Sequence, residues 1–257
     1  MSVPRYVALA AAGAETDVSA VLDAIVADAA PVPAGRPRTI GVMVASVDGH
    51  ATVEGRSGPL GGPEDRAIFR GMRERADALL VGPGTLNRER YATVLDPDQH
   101  ERRIARGLER EPLVATISRS FSLDADVPLL HEEEARVLVL TEQPAPYPVD
   151  GGPVEVVRLA DATPAAALAE LHGRGIGLIA CEGGPRLLSA LVRDGLLDEL
   201  LLTVTPLLVG GAAPRTILDG PLGAGDPSTP RAVVPRGAWR SGDVLFHHLH
   251  LTDGSPA

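Results

Sequence analysis

Ala180-Cys181-Glu182-Gly183-Gly184-Pro185-Arg186-Leu187 sets a carboxylate and two glycines between two apolar patterns of different period. Upstream, Ile176-Gly177-Leu178-Ile179 has the pattern of a short buried strand; downstream, Leu187, Leu188, Leu191 and Val192 recur at helical spacing. Gly183 and Gly184 lack a Cβ, so a ligand can approach the backbone closely. The start of the helix offers free N–H groups and a partial positive charge, which suits a phosphate. Glu182 then falls at the carboxyl end of a strand, where open α/β sheets hold their ligands. The alternative reading of this segment alone is a tight turn with a solvated glutamate.

Two other strand ends carry similar chemistry. Ser46-Val47-Asp48-Gly49 closes the apolar run Thr39 to Ser46, and Gly82-Pro83-Gly84-Thr85 closes Ala78-Leu79-Leu80-Val81. Each pairs glycine with a hydroxyl or a carboxylate. Three such turns in one sheet point to a single cleft that cradles a phosphate-bearing ligand.

The elements that must position these turns alternate. Residues 1–36 precede the core; Val18 to Ala29 has helical periodicity, broken by Pro31-Val32-Pro33-Ala34-Gly35. A Gly-rich loop spans 55–62, and 63–75 reads as a helix with Ile68, Phe69 and Met72 on one face. Further strands are expected at 112–117, 136–140, 153–158, 176–181 and 199–205, with helices at 164–173 and 185–194. Two tail strands, 231–236 and 242–251, turn near Ser241-Gly242. Strands alternating with helices imply a mostly parallel sheet, and the tail hairpin adds an antiparallel edge. The run from Val204 to Val209 reads as a core or dimer strand.

Composition excludes several functions. The chain of 257 residues contains no lysine, which removes a Schiff-base lysine, a pyridoxal-phosphate enzyme and a P-loop lysine together. Cys181 is the single cysteine, so an internal disulfide and a cysteine-based zinc site are excluded, and a buried inert thiol is expected. A formal charge of −10 opposes nucleic-acid or anionic-membrane partners. No apolar run reaches the roughly 18 residues of a membrane span. Val7 to Ala12 is too short and too closely followed by acidic helical sequence to be a secretory signal, so a cytoplasmic protein is expected. No G-x-G-x-x-G follows the first strand and no G-x-S-x-G occurs. His248 and His250 alternate onto one strand face; a polar edge strand, with no metal, is expected there.

The ordered turns Ser46-Val47-Asp48-Gly49, Leu80-Val81-Gly82-Pro83-Gly84-Thr85 and Glu182-Gly183-Gly184-Pro185 resemble those of the reductase domain of bacterial riboflavin biosynthesis, as do Gly58 with its loop and the runs Gly195 to Leu200 and Thr205 to Gly211. The resemblance covers about residues 38–250, making 1–37 an N-terminal extension and 38–252 the reductase domain. It implies an α/β fold of the dihydrofolate-reductase type, a three-layer αβα arrangement with a mixed, mostly parallel sheet and a C-terminal antiparallel hairpin. It also implies NADPH, a small-molecule ribosylaminopyrimidine substrate and a homodimer. One cysteine cannot supply the zinc deaminase motifs of the bifunctional family members, so a stand-alone reductase is expected. The loop Gly61-Gly62-Pro63-Glu64-Asp65-Arg66 is similar to an actinobacterial stand-alone branch, some members of which look like functional analogues of dihydrofolate reductase.

Carried over by position, the resemblance implies the following roles. Val44 and Ala45 contact the nicotinamide through backbone atoms, and Gly82, Thr85 and Glu89 lie along the cofactor. Gly183, Gly184, Pro185, Arg186 and Leu187 wrap the pyrophosphate, and Ser118 and Arg119 receive the 2′-phosphate, for which arginine is suited by its bidentate geometry. Ser57, Asp65, Arg73 and Glu182 bind substrate, and Glu182 or Asp48 handles a proton. Asp48 also reads as a turn residue, Arg73 as a solvated one and Asp65 as a helix cap. The segment Asn87-Arg88-Glu89-Arg90-Tyr91 departs from the family's Asp-Asn-Pro, and Gly58-Pro59-Leu60 stands where the family has tryptophan. Both departures fall where the phosphoribosyl tail would bind, which keeps dihydrofolate open as a substrate. A non-catalytic NADPH- or pteridine-binding protein is the reading of a different class.

Overall fold

The computed structural model describes residues 16–28, 32–146, 152–211, 215–220 and 230–252. Nine strands form one sheet: β1 (Arg38–Ser46), β2 (Ala78–Leu80), β3 (Leu113–Ile117), β4 (Arg136–Thr141), β5 (Val154–Arg158), β6 (Leu178–Cys181), β7 (Glu199–Thr205), β8 (Val233–Ser241) and β9 (Val244–Leu251). Their order is β5-β4-β3-β2-β6-β1-β7-β9-β8. The pairs from β5 through β7 are parallel, and β9 pairs antiparallel with β7 and β8.

Both faces of the central parallel strands are covered, so β2, β3, β4 and β6 are largely apolar rather than alternating. Leu79, Val114, Val137 and Val139 face one layer, built on α1 (Val18–Ala27), α2 (Pro63–Arg73) and α3 (Pro83–Glu89). Leu80, Ala115, Leu138 and Leu140 face the other, built on α5 (Pro164–Gly173) and α6 (Pro185–Arg193). The three-layer arrangement with its C-terminal hairpin is the one expected. Cys181 lies in the second layer, where burial pushes its thiol up to about 12 and keeps it inert.

Two helices were absent from the sequence reading: α3 and α4 (Pro97–Ala105). Both begin with proline in the first helical turn, after Gly82 and Asp96. Proline there loses no helical hydrogen bond, so a residue read as a turn signal is also a helix start. The Gln99 side chain accepts from the Asp96 N–H at 3.0 Å, closing the start of α4. The tail hairpin runs through β8 and β9 with a two-residue loop at Gly242 and Asp243, later than the first tail strand was expected to end. Gly242 has φ +56°, which suits such a tight hairpin.

The helix expected at 18–29 ends at Ala27, and it packs on this chain's own core rather than standing apart. Leu22 and Ile25 are buried against α2. Arg38 holds the end of α1, donating to the carbonyls of Ile25 and Val26 at 2.9 Å each and of Asp28 at 3.2 Å. The α1–α2 contact needs Gly71, where a Cβ would come 2.4 Å from Leu22 Cδ1. Gly71→Ala is therefore expected to lower unfolding free energy by about 1–3 kcal/mol, measured by urea denaturation, because the fully buried Leu22 has no room to withdraw.

His248 and His250 do share a face, but β9 is an interior strand and that face is buried. Their Nε2 atoms lie 2.5 and 3.3 Å from Glu199 Oε2, while Arg38 Nε donates to Glu199 Oε1 at 2.6 Å. The polar edge expected here is a charge-paired interior cluster, with Arg38 supplying the countercharge that Glu199 needs.

Candidate active site

The carboxyl ends of β1, β2, β3 and β6 lie on one edge of the sheet, so all three ligand-type turns open there. The chain leaves β2 toward β3 on one side and leaves β6 toward β7 on the other. Opposite departures from adjacent strands open a crevice between their ends, which is where ligands bind in sheets of this kind.

The two glycine turns meet at that crevice. The Gly82 N–H donates to the Gly183 carbonyl at 2.6 Å. A Cβ on Gly184 would lie 2.7 Å from Thr85 Oγ1, and Gly183 has φ +77°. These glycines therefore have a folding reason that the sequence did not reveal: the loops touch, and a side chain would part them. Pro185 starts α6, and the amides of Arg186 and Leu187 belong to its open first turn. Arg186 is almost fully exposed and reaches Asp219, at 3.3 Å, among the described residues. A Cβ-free cradle facing an open helix start fits the pyrophosphate of a dinucleotide.

Asp65 lies in the first turn of α2, half-buried, with the Thr203 hydroxyl among the groups that act on its carboxyl. Thr203 is the register partner of Val44, so this carboxyl stands beside the end of β1 and its Val44-Ala45 backbone. Burial pushes Asp65 above the usual carboxylate range, against the opposing pull of Thr203 and Arg66. It is not a helix cap: Gly62 occupies that position, without a side-chain bond.

Other expected site residues are committed to one another. Arg73 binds Glu182 through Nε at 2.6 Å and Nη2 at 2.8 Å, and its Nη1 donates to the Val94 carbonyl at 3.0 Å. The Tyr91 hydroxyl donates to Glu182 Oε2 at 2.6 Å, and the Arg73 guanidinium stacks on Phe69 at 4.3 Å. The side chains of Arg73 and Glu182 are 10% and 1% exposed and are turned mainly toward each other. Burial, the largest influence, pulls Arg73 down, but the charge and hydrogen bonds of Glu182 together with Tyr91 outweigh it and hold Arg73 above its ordinary value.

Glu89 Oε1 accepts from the Ser57 N–H at 3.0 Å and its hydroxyl at 3.2 Å, so these two residues fasten the Gly-rich loop to α3. Ser118 Oγ accepts from the Ser122 N–H at 2.7 Å and closes a turn, which leaves exposed Arg119 as the available half of that pair. Asp48 accepts from the Ser46 hydroxyl at 2.5 Å, Gly210 N–H at 2.8 Å and Val209 N–H at 3.1 Å. These bonds, the Ser46 one foremost, hold its carboxyl well below the usual range. Asp48 thus pins the 207–210 segment from the strand end at which a proton role was expected of it.

Sequence reasoning missed Tyr91 and Thr203. Neither carries a motif; Tyr91 follows α3 outside any helix or strand, and Thr203 looks like any strand threonine.

An α/β sheet with a glycine cradle and an open helix start at its switch-point crevice has the layout of a nucleotide-binding fold. A family model described as the RibD C-terminal domain matches residues 37–226, and the chain belongs to that family. A 2,5-diamino-6-ribosylamino-4(3H)-pyrimidinone 5′-phosphate reductase from Archaeoglobus fulgidus is 30% identical over 192 residues, 72% of this chain and 87% of that one. One of the same name from Methanothermobacter thermautotrophicus is 26% identical over 72% of this chain and 85% of its own length. The crystal structure of a pyrimidine reductase-like protein from Corynebacterium diphtheriae aligns with a TM-score of 0.69 at 26% identity, covering 84% of this chain and 92% of that one. A Thermotoga maritima deaminase/reductase shares the fold, with a TM-score of 0.67 at 23% identity over 84% of this chain and 57% of that one. The chain is thus an oxidoreductase of the riboflavin-biosynthesis reductase family, a family that implies a nicotinamide cofactor. Among the described residues, no helix is long and apolar enough to cross a membrane.

Proposed function

We propose that this protein is an NADPH-dependent reductase of a ribosylaminopyrimidine phosphate. The observation that supports the reading is Asp65, a half-buried carboxyl acted on by Thr203, the strand partner of Val44. A carboxyl there can accept from an exocyclic amino group and an adjacent ring N–H, the donor pair of an aminopyrimidine.

Gly82, Thr85, Gly183, Gly184, Pro185, Arg186 and Leu187 would hold the cofactor's pyrophosphate, and Arg119 its 2′-phosphate. When bound, the reduced nicotinamide supplies the hydride for C1 of the opened sugar. Asp65 orients the ring and handles the proton that the substrate nitrogen gains; burial keeps its protonated form populated to higher pH than an ordinary aspartate. Asp48 holds the 207–210 segment over the strand end, and Arg73 and Glu182 set the position of the Gly183-Gly184 turn.

Asp65→Asn is expected to lower kcat at least about 100-fold, the range of a lost acid–base group, with NADPH affinity within twofold of wild type. NADPH oxidation at 340 nm with the pyrimidine phosphate and with dihydrofolate, offered in parallel, tests the substrate. Turnover of the pyrimidine supports the reading. Turnover of dihydrofolate alone replaces it with a pterin reductase, a second reading favoured by the same Asp65–Thr203 pair, since a pterin presents the same amino and ring N–H donors. Silence with both sinks the proposed activity.

We also propose a cytoplasmic homodimer. The outer edge of β8 is unpaired among the described residues and carries exposed Val233 and Val234, with exposed Leu245 on the neighbouring strand. Light scattering at twice 26.7 kDa is the expected result, and a monomer at micromolar concentration overturns it.

A further inference from the structure

Two loops flank the crevice, and one buried knot holds both of them. Glu182 immediately precedes the Gly183-Gly184 turn at the end of β6. Tyr91 immediately follows Arg90, the left-handed residue that ends α3, and α3 begins at the Gly82 turn and carries Thr85. Tyr91 Oη donates to Glu182 Oε2 at 2.6 Å, joining the far end of α3 to the root of the opposite turn. Arg73 completes the knot from α2, with two bonds to Glu182 and one to the Val94 carbonyl, three residues beyond Tyr91.

We propose that Tyr91 is a positioning residue for cofactor binding, acting through Glu182 to fix the Gly183-Gly184 turn against α3. The tolerance at that contact is small, because a single Cβ on Gly184 would already lie 2.7 Å from Thr85 Oγ1. A shift of about half an ångström at a cradle of backbone N–H groups is enough to spoil hydrogen bonds to a phosphate, because their useful distances span no more than that. The phenol is suited to the task. Burial foremost, and the Glu182 charge after it, push Tyr91 well above its ordinary value, so it remains a donor at every pH at which the protein is handled. Arg73 occupies the rest of the carboxylate, its three bonds going to Glu182 Oε1, Glu182 Oε2 and the Val94 carbonyl.

The inference rests on the proposed NADPH binding but not on the identity of the substrate. The test is Tyr91→Phe in the full chain, which removes one oxygen and keeps the ring stacked near Arg73. NADPH affinity is measured without substrate by fluorescence titration. Tyr91→Phe is expected to raise Kd by about 5–10-fold, the loss of one hydrogen bond to a charged group. The turnover number at saturating NADPH is expected to stay within twofold. Glu182→Gln gives a second route: it too raises Kd, and the double variant is no worse than Glu182→Gln alone, because Tyr91 acts through that carboxylate. Hydrogen exchange at amides 183–188 rises in Tyr91→Phe without a matching rise in the β3 and β4 core. A lowered Tm with an unchanged Kd assigns Tyr91 a merely structural role and overturns the proposal, as does additivity in the double variant. A wild-type chain that binds no NADPH overturns this proposal together with its cofactor reading, whereas NADPH binding without turnover of the pyrimidine sinks the substrate reading alone.

Discussion

Arg73→Leu is expected to lower the unfolding free energy by about 3–5 kcal/mol, because it strands a carboxylate in the interior. Glu182 is 1% exposed and takes three hydrogen bonds, two of them from Arg73. Removing the guanidinium leaves only the Tyr91 donor and also removes the stacking on Phe69. Urea denaturation at neutral pH measures the loss. Replacing both partners with leucine is expected to recover most of it, since neither charge then has to be desolvated. A single-variant loss below about 1 kcal/mol, the range of exposed pairs, would mean that the pair is solvated in solution. The experiment separates two ideas of this site. A substrate-facing arginine loses activity with little change in stability, whereas the buried arginine seen here loses both.

The second large effect concerns the cluster beneath α1. Glu199→Gln is expected to cost about 3–5 kcal/mol at neutral pH, since Arg38 then keeps its charge in a buried place without its partner. The cluster also makes stability depend on acid. Burial alone would raise Glu199, but the bonds from His248 and Arg38 outweigh it and bring the carboxyl from 4.5 down to about 2. A depressed carboxylate contributes stability that is fully present above its unfolded value and is lost as protons bind. This contribution therefore disappears as pH falls from about 4.5 to about 2. Burial lowers His250, so its contribution too is present at neutral pH and falls on acidification from 6.5. Wild-type urea midpoints are expected to drop across this acid range, and those of Glu199→Gln to drop much less. Equal slopes in the two proteins would show that other carboxylates carry the acid transition. Because Arg38 also holds the last carbonyls of α1, the first amides to lose exchange protection on acidification are expected in residues 20–28.

Much of the architecture was legible because the parallel strands are apolar on both faces and the helices between them are amphipathic. Those two periods distinguish β3, β4, α5, β6 and α6 without any knowledge of their neighbours. The failures were local. α3 and α4 start at proline, which signals a turn and a helix start alike, and packing decides between them: Leu86 of α3 and His100 and Arg103 of α4 are buried. The hairpin boundaries shifted because an edge strand such as β8 is solvated on much of its surface and carries little apolar pattern.

The candidate site divides along the same line. The amino-acid sequence by itself determined the turns at Ser46-Gly49, Gly82-Thr85 and Glu182-Pro185, because glycine and proline act on the backbone at their own positions, and the family follows from their order. Tertiary structure alone decided which side chains are free to act. Asp48, Glu182, Arg73, Ser57 and Glu89 have the residue types of a catalytic site, yet each is bound to a group distant in the chain: Asp48 to Val209 and Gly210, Arg73 to Glu182, Ser57 to Glu89. The resemblance already placed Asp65 at the substrate, but only the fold sets it near Thr203 of β7, and Tyr91 had no visible role until β6 delivered Glu182 to its hydroxyl. Ionisation and hydrogen bonding depend on what lies within a few ångströms, and for these residues those neighbours are set by the order of strands in the sheet, not by position along the chain.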